Sequence, residues 1–247
     1  MAFTRNPKDA SPRYGTGSKA APKADDGAVV LLGPARFTLL SPRLLRLEYQ
    51  ARGRFTDQAS QVFWHRHQPV PAYTTRFDTG WWTIETEHLE LRYAEGRPFS
   101  AETLSIRLKT RGTLWRFGDE DPVNLLGTTR TLDQVSGATK LEPGLLSRSG
   151  WAVVDDSASL LFTSEGWLES RPDDGLDLYF FGYGFDYQAC LADYIQIAGA
   201  GPLLPRWALG NWWSRYWAYS QSELAKVIGE FRSHEVPLAV CVIDMDW

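Results

Sequence analysis

The segment PLAVCVIDMDW, Pro237 to Trp247, has an unbroken apolar run at residues 238–243, followed by two aspartates one residue apart. An apolar run without alternation is typical of a parallel strand that is covered on both faces. The upstream segment LPRWALGNWW, residues 204–213, predicts a second short apolar strand. Parallel strands need a crossover connection, so we expect a helix between these two segments.

The intervening segment SQSELAKVIGEFRSHEV has this helical pattern. Ser220 and Glu223 have the spacing of a capping box at its start. The apolar stripe consists of Leu224, Val227, Ile228 and Phe231. Strand, helix and strand form one βαβ unit, and such a unit alone leaves both sheet faces uncovered. We therefore interpret residues 203–247 as the start of an incomplete (β/α)8 TIM barrel.

Upstream of this unit, short segments alternate apolar and polar residues with a period of two. Alternation of this kind predicts antiparallel strands with one buried face, and hence a β-sandwich over residues 29–185. The residues expected to point inward are Leu45, Leu47 and Tyr49, then Leu89, Leu91 and Tyr93, then Leu104, Ile106 and Leu108. Further strands are predicted at 81–86, 151–155, 160–163 and 178–182.

Two segments flank the predicted sandwich. Residues 1–28 contain no Val, Ile or Leu, so we expect a flexible N-terminal tail that cannot bury enough apolar surface to order itself. The segment DYQACLADYIQIAG predicts a linker helix within residues 186–202. The apolar residues at helical spacing in this helix are Cys190, Leu191, Tyr194 and Ile195.

The composition excludes several classes of protein. The net charge of −4 lacks a basic track, which argues against nucleic-acid binding, and no apolar run reaches the length of a membrane span. The two cysteines lie in apolar contexts, and the start of the chain lacks a signal-peptide pattern, so we expect a cytoplasmic protein. The 11 Trp, 10 Tyr and 12 Phe suit sugar binding, but most are expected to fill cores.

Asp244 and Asp246 follow the last predicted strand, at the end where α/β barrels carry their active sites. The alternative is that one of them caps a helix or pairs with an arginine. The cluster NWWSRYWAYS, residues 211–220, follows the preceding strand and would lie beside them. Aromatic platforms next to carboxylates suit a sugar, although about half of these rings are expected to fill the barrel bottom or the domain seam.

A third stretch, residues 125–157, predicts a long loop that is either functional or disordered, and its apolar residues argue against disorder. Asp155 and Asp156 within it are expected to form a turn rather than a metal-ligand pair. His65 and His67 have no third ligand at metal-binding spacing, so we predict that the chain has no metal site.

The segment from Gly201 to Trp247 resembles the start of the catalytic barrel of glycoside hydrolase family 31, the α-glucosidase and α-xylosidase family. The segments GTTRTLD, GLLSRSGWAVVDDS and DYQACLADY are similar to that family's N-terminal sandwich and linker helix. The resemblance implies a galactose-mutarotase-like sandwich and retaining hydrolysis of terminal α-linked glucose or xylose. It also implies that the chain is an inactive N-terminal fragment, because both catalytic aspartates would lie on later barrel strands.

What the resemblance transfers to this chain is substrate binding. It implies that Asp244 accepts hydrogen bonds from sugar hydroxyls, with Met245 packed beside it and Asp246 as the second acid of the motif. The aromatic residues of the same subsite would be Tyr216 and Trp247. A sandwich loop carrying Arg130 and Asp133 would reach over the entrance.

The implied partner is an oligosaccharide or α-glycoside substrate, with no cofactor, no nucleic acid and no membrane. A homo-oligomer of the full-length enzyme is left open. Two alternatives remain: a non-catalytic β-sandwich module that binds carbohydrate or protein, and a lyase or transglycosylase of the same family.

Overall fold

The structure is a computed structural model that describes residues 20–129, 131–172, 174–201 and 203–244. The chain divides into two compact units, residues 1–200 and 201–247. Among the described residues, no helix is long and apolar enough to cross a membrane.

The first unit consists mostly of antiparallel sheet. Its strands are β1 (Val29–Leu32), β2 (Ala35–Ser41), β3 (Leu44–Tyr49), β4 (Thr74–Asp78), β5 (Trp81–Glu85), β6 (Leu89–Ala94), β7 (Leu104–Leu108), β8 (Leu114–Arg116), β9 (Ala152–Asp155), β10 (Leu161–Phe162), β11 (Leu168–Glu169) and β12 (Leu176–Phe181). One five-stranded sheet has the order β1-β2-β3-β12-β9, a second has the order β4-β5-β6-β7-β8, and β10 and β11 form a hairpin.

The alternating segments form these strands because their apolar faces share one core. A single hydrophobic cluster contains buried residues from both five-stranded sheets, among them Leu47 and Phe180 from the first sheet and Leu91 and Ile106 from the second. On β6 and β7 the predicted alternation is confirmed, since the expected inward residues are buried and the residues between them are not.

The first sheet differs from the expectation of one solvated face. Strand β3 is buried on both faces, so Arg46 and Glu48 are enclosed along with Leu45 and Leu47. A second hydrophobic cluster lies on this other face, built from Leu40, Leu44, Phe63, Tyr179, Phe181, Tyr183, Cys190 and Ile197. The alternation on β3 therefore does not distinguish buried residues from exposed ones. One face carries only apolar residues, and the other, also buried, carries Arg46 and Glu48.

The linker helix α1 (Tyr187–Ala198) forms where it was predicted, and its residues contribute to this second cluster. The Asp186 side chain caps it by accepting from the backbone N–H of Ala189, and Gly199 ends it at a φ of 91°. The predicted stripe needs correction, because Leu191 and Ile195 are exposed. The buried face instead runs through Cys190, Tyr194 and Ile197, the i, i+4, i+7 positions that meet the sheet.

The predicted tail of residues 1–28 lies outside the described residues up to position 19. Residues 20–28 are ordered, which corrects the expectation of flexibility for that part. Ala21 forms a bridge with His65, and Ala28 is buried at the start of the first sheet. Backbone hydrogen bonds therefore order a segment that has little apolar surface of its own.

The second unit contains β13 (Trp212–Trp213), α2 (Gln221–Ser233) and β14 (Val240–Cys241). The two strands pair in parallel, with Trp212 opposite Val240, so the predicted βαβ order is confirmed. Both strands are shorter than predicted, and Arg206–Leu209 forms a 3-10 helix instead of extending β13. Ser220 and Glu223 form the predicted capping box of α2.

Candidate functional site

In the second unit, the carboxyl ends of β13 and β14 bring two polar residues together. Ser214 follows β13 directly, and Asp244 lies three residues beyond β14. The Ser214 hydroxyl donates to Asp244 Oδ2 at 3.5 Å, across 30 positions of sequence. This contact exists because the parallel register places both strand ends at the same edge. The predicted proximity of Asp244 to the segment 211–220 is therefore present in the structure.

Asp244 lines a cleft of ≈ 420 Å³. One wall is formed by Trp217 and Tyr219, and the other by the first turns of α2, including Leu224 and Ile228. In the part of this unit that the structure describes, Asp244 is the one acidic residue that lines the cleft. An apolar wall with one carboxylate can bind a ligand that combines hydroxyl groups with a hydrophobic face.

The aromatic residues around this cleft divide into packed and exposed rings. Trp213 contacts Phe231 of α2 at 5.7 Å between ring centroids and Tyr219 at 6.0 Å, which makes it part of the unit's interior. Tyr216 and Trp217 are 62% and 58% exposed. The Arg215 guanidinium lies 4.8 Å from the centroid of the Trp217 ring, within cation–π distance. Within this unit the cluster therefore contains both packed and exposed rings, and the expectation that about half fill the barrel bottom or the domain seam stays a prediction.

Of the other predicted site residues, the structure describes Tyr216 and Asp133. Tyr216 is exposed but does not line the cleft. Asp133 belongs to the first unit, where it is exposed and its backbone N–H donates to the Thr131 hydroxyl at 3.0 Å. Met245, Asp246, Trp247 and Arg130 lie outside the described residues.

The long loop that carries Asp133 is held at its base by one side chain. Asn124 Oδ1 accepts from the backbone N–H groups of Leu126 and Gly144 at 2.8 and 2.7 Å, and its Nδ2 donates to the Gly144 carbonyl. The two arms approach so closely that a Cβ at Gly144 would lie 2.5 Å from the Leu126 carbonyl oxygen. These hydrogen bonds join the two arms of the loop at its base, whereas several apolar residues beyond the base, such as Leu132, are exposed.

The first unit also contains a buried network of charged residues that sequence reasoning missed. Arg46 makes two hydrogen bonds with Asp177, at 2.7 and 2.8 Å, and a third contact with Glu48 at 3.1 Å. Arg36 pairs with Glu48 through two hydrogen bonds of 2.6 and 2.8 Å. Asp177 also accepts from Arg171 at 3.0 Å. We call Arg36, Arg46, Glu48, Asp156, Arg171 and Asp177 the ionic network.

The ionic network includes Asp156, whose expected role was in a turn. Asp155 does form that turn, accepting from the Ser157 backbone N–H at 2.9 Å. Asp156 is fully buried and pairs with Arg171 at 2.9 Å. The signal that would have revealed the network is the strand pairing register, which places Arg36 opposite Glu48 on neighbouring strands. Opposite charges on one strand face can mark a buried pair, but the sequence alone does not supply the register.

The three acids of the ionic network have pKa values that their surroundings shift in different directions. Burial raises the pKa of Asp156 and also raises the pKa of Glu48, in spite of its arginine partners. Burial alone would also raise the pKa of Asp177, but the charge and hydrogen bonds of Arg46 outweigh it and hold that pKa well below its usual range. Asp177 is therefore the anionic centre of the network.

Among the described residues, no group of three or more His, Cys, Asp or Glu side chains is arranged to hold a metal ion.

The chain is similar in sequence to one group of known enzymes. Residues 201–247 match the family model described as "Glycosyl hydrolases family 31 TIM-barrel domain". An α-xylosidase of Saccharolobus solfataricus is 33% identical over 108 residues, which make up 41% of this chain and 14% of the relative.

Solved structures of two GH31 enzymes are similar to this chain in fold. A GH31 dextranase of Flavobacterium johnsoniae, complexed with glucose, matches 89% of this chain and 32% of its own with a TM-score of 0.55 at 17% identity. A GH31 α-xylosidase from a soil metagenome, complexed with xylose, matches 88% of this chain and 40% of its own with a TM-score of 0.59 at 15% identity. The chain thus spans less than half the length of these relatives, and its resemblance to glycoside hydrolase family 31 is confirmed.

Proposed function

We propose that this chain supplies part of the substrate pocket of a retaining α-glycosidase of family 31, acting on terminal α-linked glucose or xylose. The observation that carries the proposal is the position of Asp244 at the carboxyl ends of two parallel strands, in a cleft walled by Trp217. The carboxylate would accept hydrogen bonds from sugar hydroxyls while the ring covers an apolar sugar face. The matched relatives include two α-xylosidases and a dextranase.

We further propose that the two β-sheets of the first unit form the galactose-mutarotase-like sandwich of such an enzyme. Their shared hydrophobic cluster supports this interpretation. A cytoplasmic location is also part of the proposal, because Cys190 and Cys241 are free thiols, as is typical of a reducing compartment.

The 247 residues alone are proposed to be inactive. Retaining hydrolysis needs two carboxyl groups roughly 5–5.5 Å apart, one as nucleophile and one as acid and base. The described part of the cleft contributes Asp244 alone. Incubation with p-nitrophenyl α-xyloside and α-glucoside tests this point, and sustained release of nitrophenol by the purified chain would overturn it.

Binding is tested by titrating the chain with xylose, glucose and isomaltose, followed by tryptophan fluorescence, because Trp217 lies in the cleft. Asp244→Ala is expected to weaken binding about tenfold or more, since it removes a charge-assisted hydrogen bond. Glu230→Ala is the matched control, because Glu230 is an exposed acid of the same unit that does not line the cleft. Equal affinities for the two variants would refute the role of Asp244.

A non-catalytic carbohydrate-binding module is the second candidate, favoured by the single carboxylate in the described cleft. In an enzyme that contains this chain, Asp244→Ala should lower kcat/KM by about tenfold to a hundredfold. In a protein that uses this chain as a separate binding module, the variant would lower affinity for carbohydrate and leave the chemical step unchanged. Analysis of the products of the complete enzyme would separate hydrolysis from elimination or transglycosylation.

A further inference from the structure

A second cleft, of ≈ 570 Å³, lies in the first unit, and its lining shares no residue with the cleft at Asp244. It is formed where the end of β3, the turn after β9, the exit of β11 and the start of β12 meet. Its lining includes Tyr49, Ser157, Leu160, Ser170, Asp174 and Leu176. The volume falls within the range of about 300–1,000 Å³ that is typical of ligand sites.

Arg171 lines this cleft and is fixed by the ionic network. Its Nε donates to the Ser159 carbonyl at 3.0 Å, and its Nη1 donates to Asp177 at 3.0 Å. Its Nη2 donates to both the carbonyl and the carboxylate of Asp156, at 2.8 and 2.9 Å. A guanidinium held on all three nitrogens gives the cleft a rigid wall, so a ligand does not have to order this long side chain on binding.

The charges around the cleft argue against an anionic ligand. The positive charge of Arg171 is opposed by two buried carboxylates, those of Asp156 and Asp177. Asp174, exposed on the rim, adds a further negative charge. A phosphate or sulfate would meet this carboxylate and find no unopposed cation at Arg171, whereas a neutral hydroxyl group can donate to Asp174.

The remaining lining favours a ligand with both hydroxyl groups and an apolar face. Tyr49 is half-buried, with its ring packed against Phe99 at 5.4 Å between centroids, and it lines the cleft together with the aliphatic side chains of Leu160 and Leu176. Ser157, Ser170 and Asp174 supply polar atoms around these surfaces. A purely apolar ligand would cover these polar groups without replacing their hydrogen bonds to water.

We propose that this cleft is a second carbohydrate-binding site, which takes a neutral oligosaccharide and is separate from the cleft at Asp244. The inference goes beyond the proposed glycosidase function and does not depend on it, because it is argued from the lining of the first unit alone. The site would hold a glycan chain without performing chemistry on it.

The experiment is a titration of the isotopically labelled 247-residue chain with isomaltotriose and maltotriose, followed by amide chemical shifts. Shifts of Ser157, Ser170 and Gly175 report on this cleft, and shifts of Ser220 and Asp244 report on the other. We expect saturable shifts in the first group with a Kd of about 1 mM, and no comparable response to inorganic phosphate.

Asp174→Asn should weaken this binding about tenfold, since it removes the charged acceptor. Tyr49→Phe retains the ring and is expected to weaken binding less. Glu120→Gln is the matched control, an exposed acid of the same unit outside the cleft, and Asp244→Asn should leave these shifts unchanged. The proposal is overturned if the first group does not shift, if phosphate binds more tightly, or if Asp174→Asn has no effect. Absence of shifts at Ser220 and Asp244 would instead count against the proposed function.

Discussion

Replacing Asp177 with alanine tests whether the ionic network holds the first unit together. The Asp177 side chain is 3% exposed and receives three hydrogen bonds from arginine, two from Arg46 and one from Arg171. The side chain of Arg46 is itself 2% exposed and that of Arg171 is 10% exposed. Asp177→Ala would therefore leave two enclosed guanidinium groups without their shared counter-charge.

The cost follows from this geometry. Removing one partner of a buried ion pair costs about 3–5 kcal/mol, most of it from the charge left unpaired. In a domain of about 150–250 residues each kcal/mol lowers the Tm by about 2–4 °C, so the Tm should fall by about 6–20 °C. Glu48 continues to neutralise part of Arg46, which favours the lower half of this range.

The assay is urea and thermal unfolding at pH 7 followed by circular dichroism, with Asp155→Ala as the control. Asp155 lies one residue from the network but is exposed in a turn, so its replacement should cost less than about 1 kcal/mol. The double variant Arg46→Met/Asp177→Leu should be less destabilised than the sum of its single changes, because the Arg46 charge is removed together with its main partner. A loss for Asp177→Ala no larger than that of the control would refute the reasoning.

Three further predictions concern pH, a helix cap and a loop. The lowered pKa of Asp177 contributes stability above its unfolded value of about 3.9, so the stability gap between wild type and Asp177→Asn should narrow as pH falls below 4 in urea titrations. The raised pKa of Asp156 has the opposite sign and acts above the unfolded value, so the stability gap between wild type and Asp156→Asn should widen as the pH falls towards about 3.9; a narrowing over that range would contradict the assignment. Ser220→Ala should lower the stability of the second unit by about 1 kcal/mol, measured by amide hydrogen exchange in α2, with Ser222→Ala as a milder control. Gly144→Ala should speed proteolysis between residues 125 and 144, because its Cβ would meet the Leu126 carbonyl at 2.5 Å, whereas Gly201→Ala, with nothing within 4 Å, should not.

Much of the fold was predictable because it depends on local pattern. Leu89, Leu91 and Tyr93 alternate with polar residues and point into the core, as the period of two requires. The capping box at Ser220 and Glu223 was readable because its two hydrogen bonds join residues three apart. Helix α1 was located correctly, but its buried face was not, since Ile197 rather than Leu191 or Ile195 meets the sheet.

The candidate site was predictable only in part. The position of Asp244 at a strand end could be inferred from the apolar run before it, and the aromatic cluster could be inferred from composition. The sequence did not show which rings pack and which are displayed, because that depends on contacts such as Trp213 with Phe231. The second cleft was not predictable, since its lining comes from four separate segments of the first unit.

The sequence by itself determined the order of elements, the antiparallel and βαβ patterns and the chemical character of the strand ends, because these follow from residue spacing over a few positions. Only the tertiary structure decided the fate of Arg46 and Glu48, which by their alternation should face water. The register of β2, β3 and β12 sets Arg36 opposite Glu48 and Arg46 opposite Tyr179, and the chain then covers this face. Buried charges are tolerated only when they pair with opposite charges, and here the partners come from distant segments of the chain. A local sequence pattern does not show which distant residues will be neighbours.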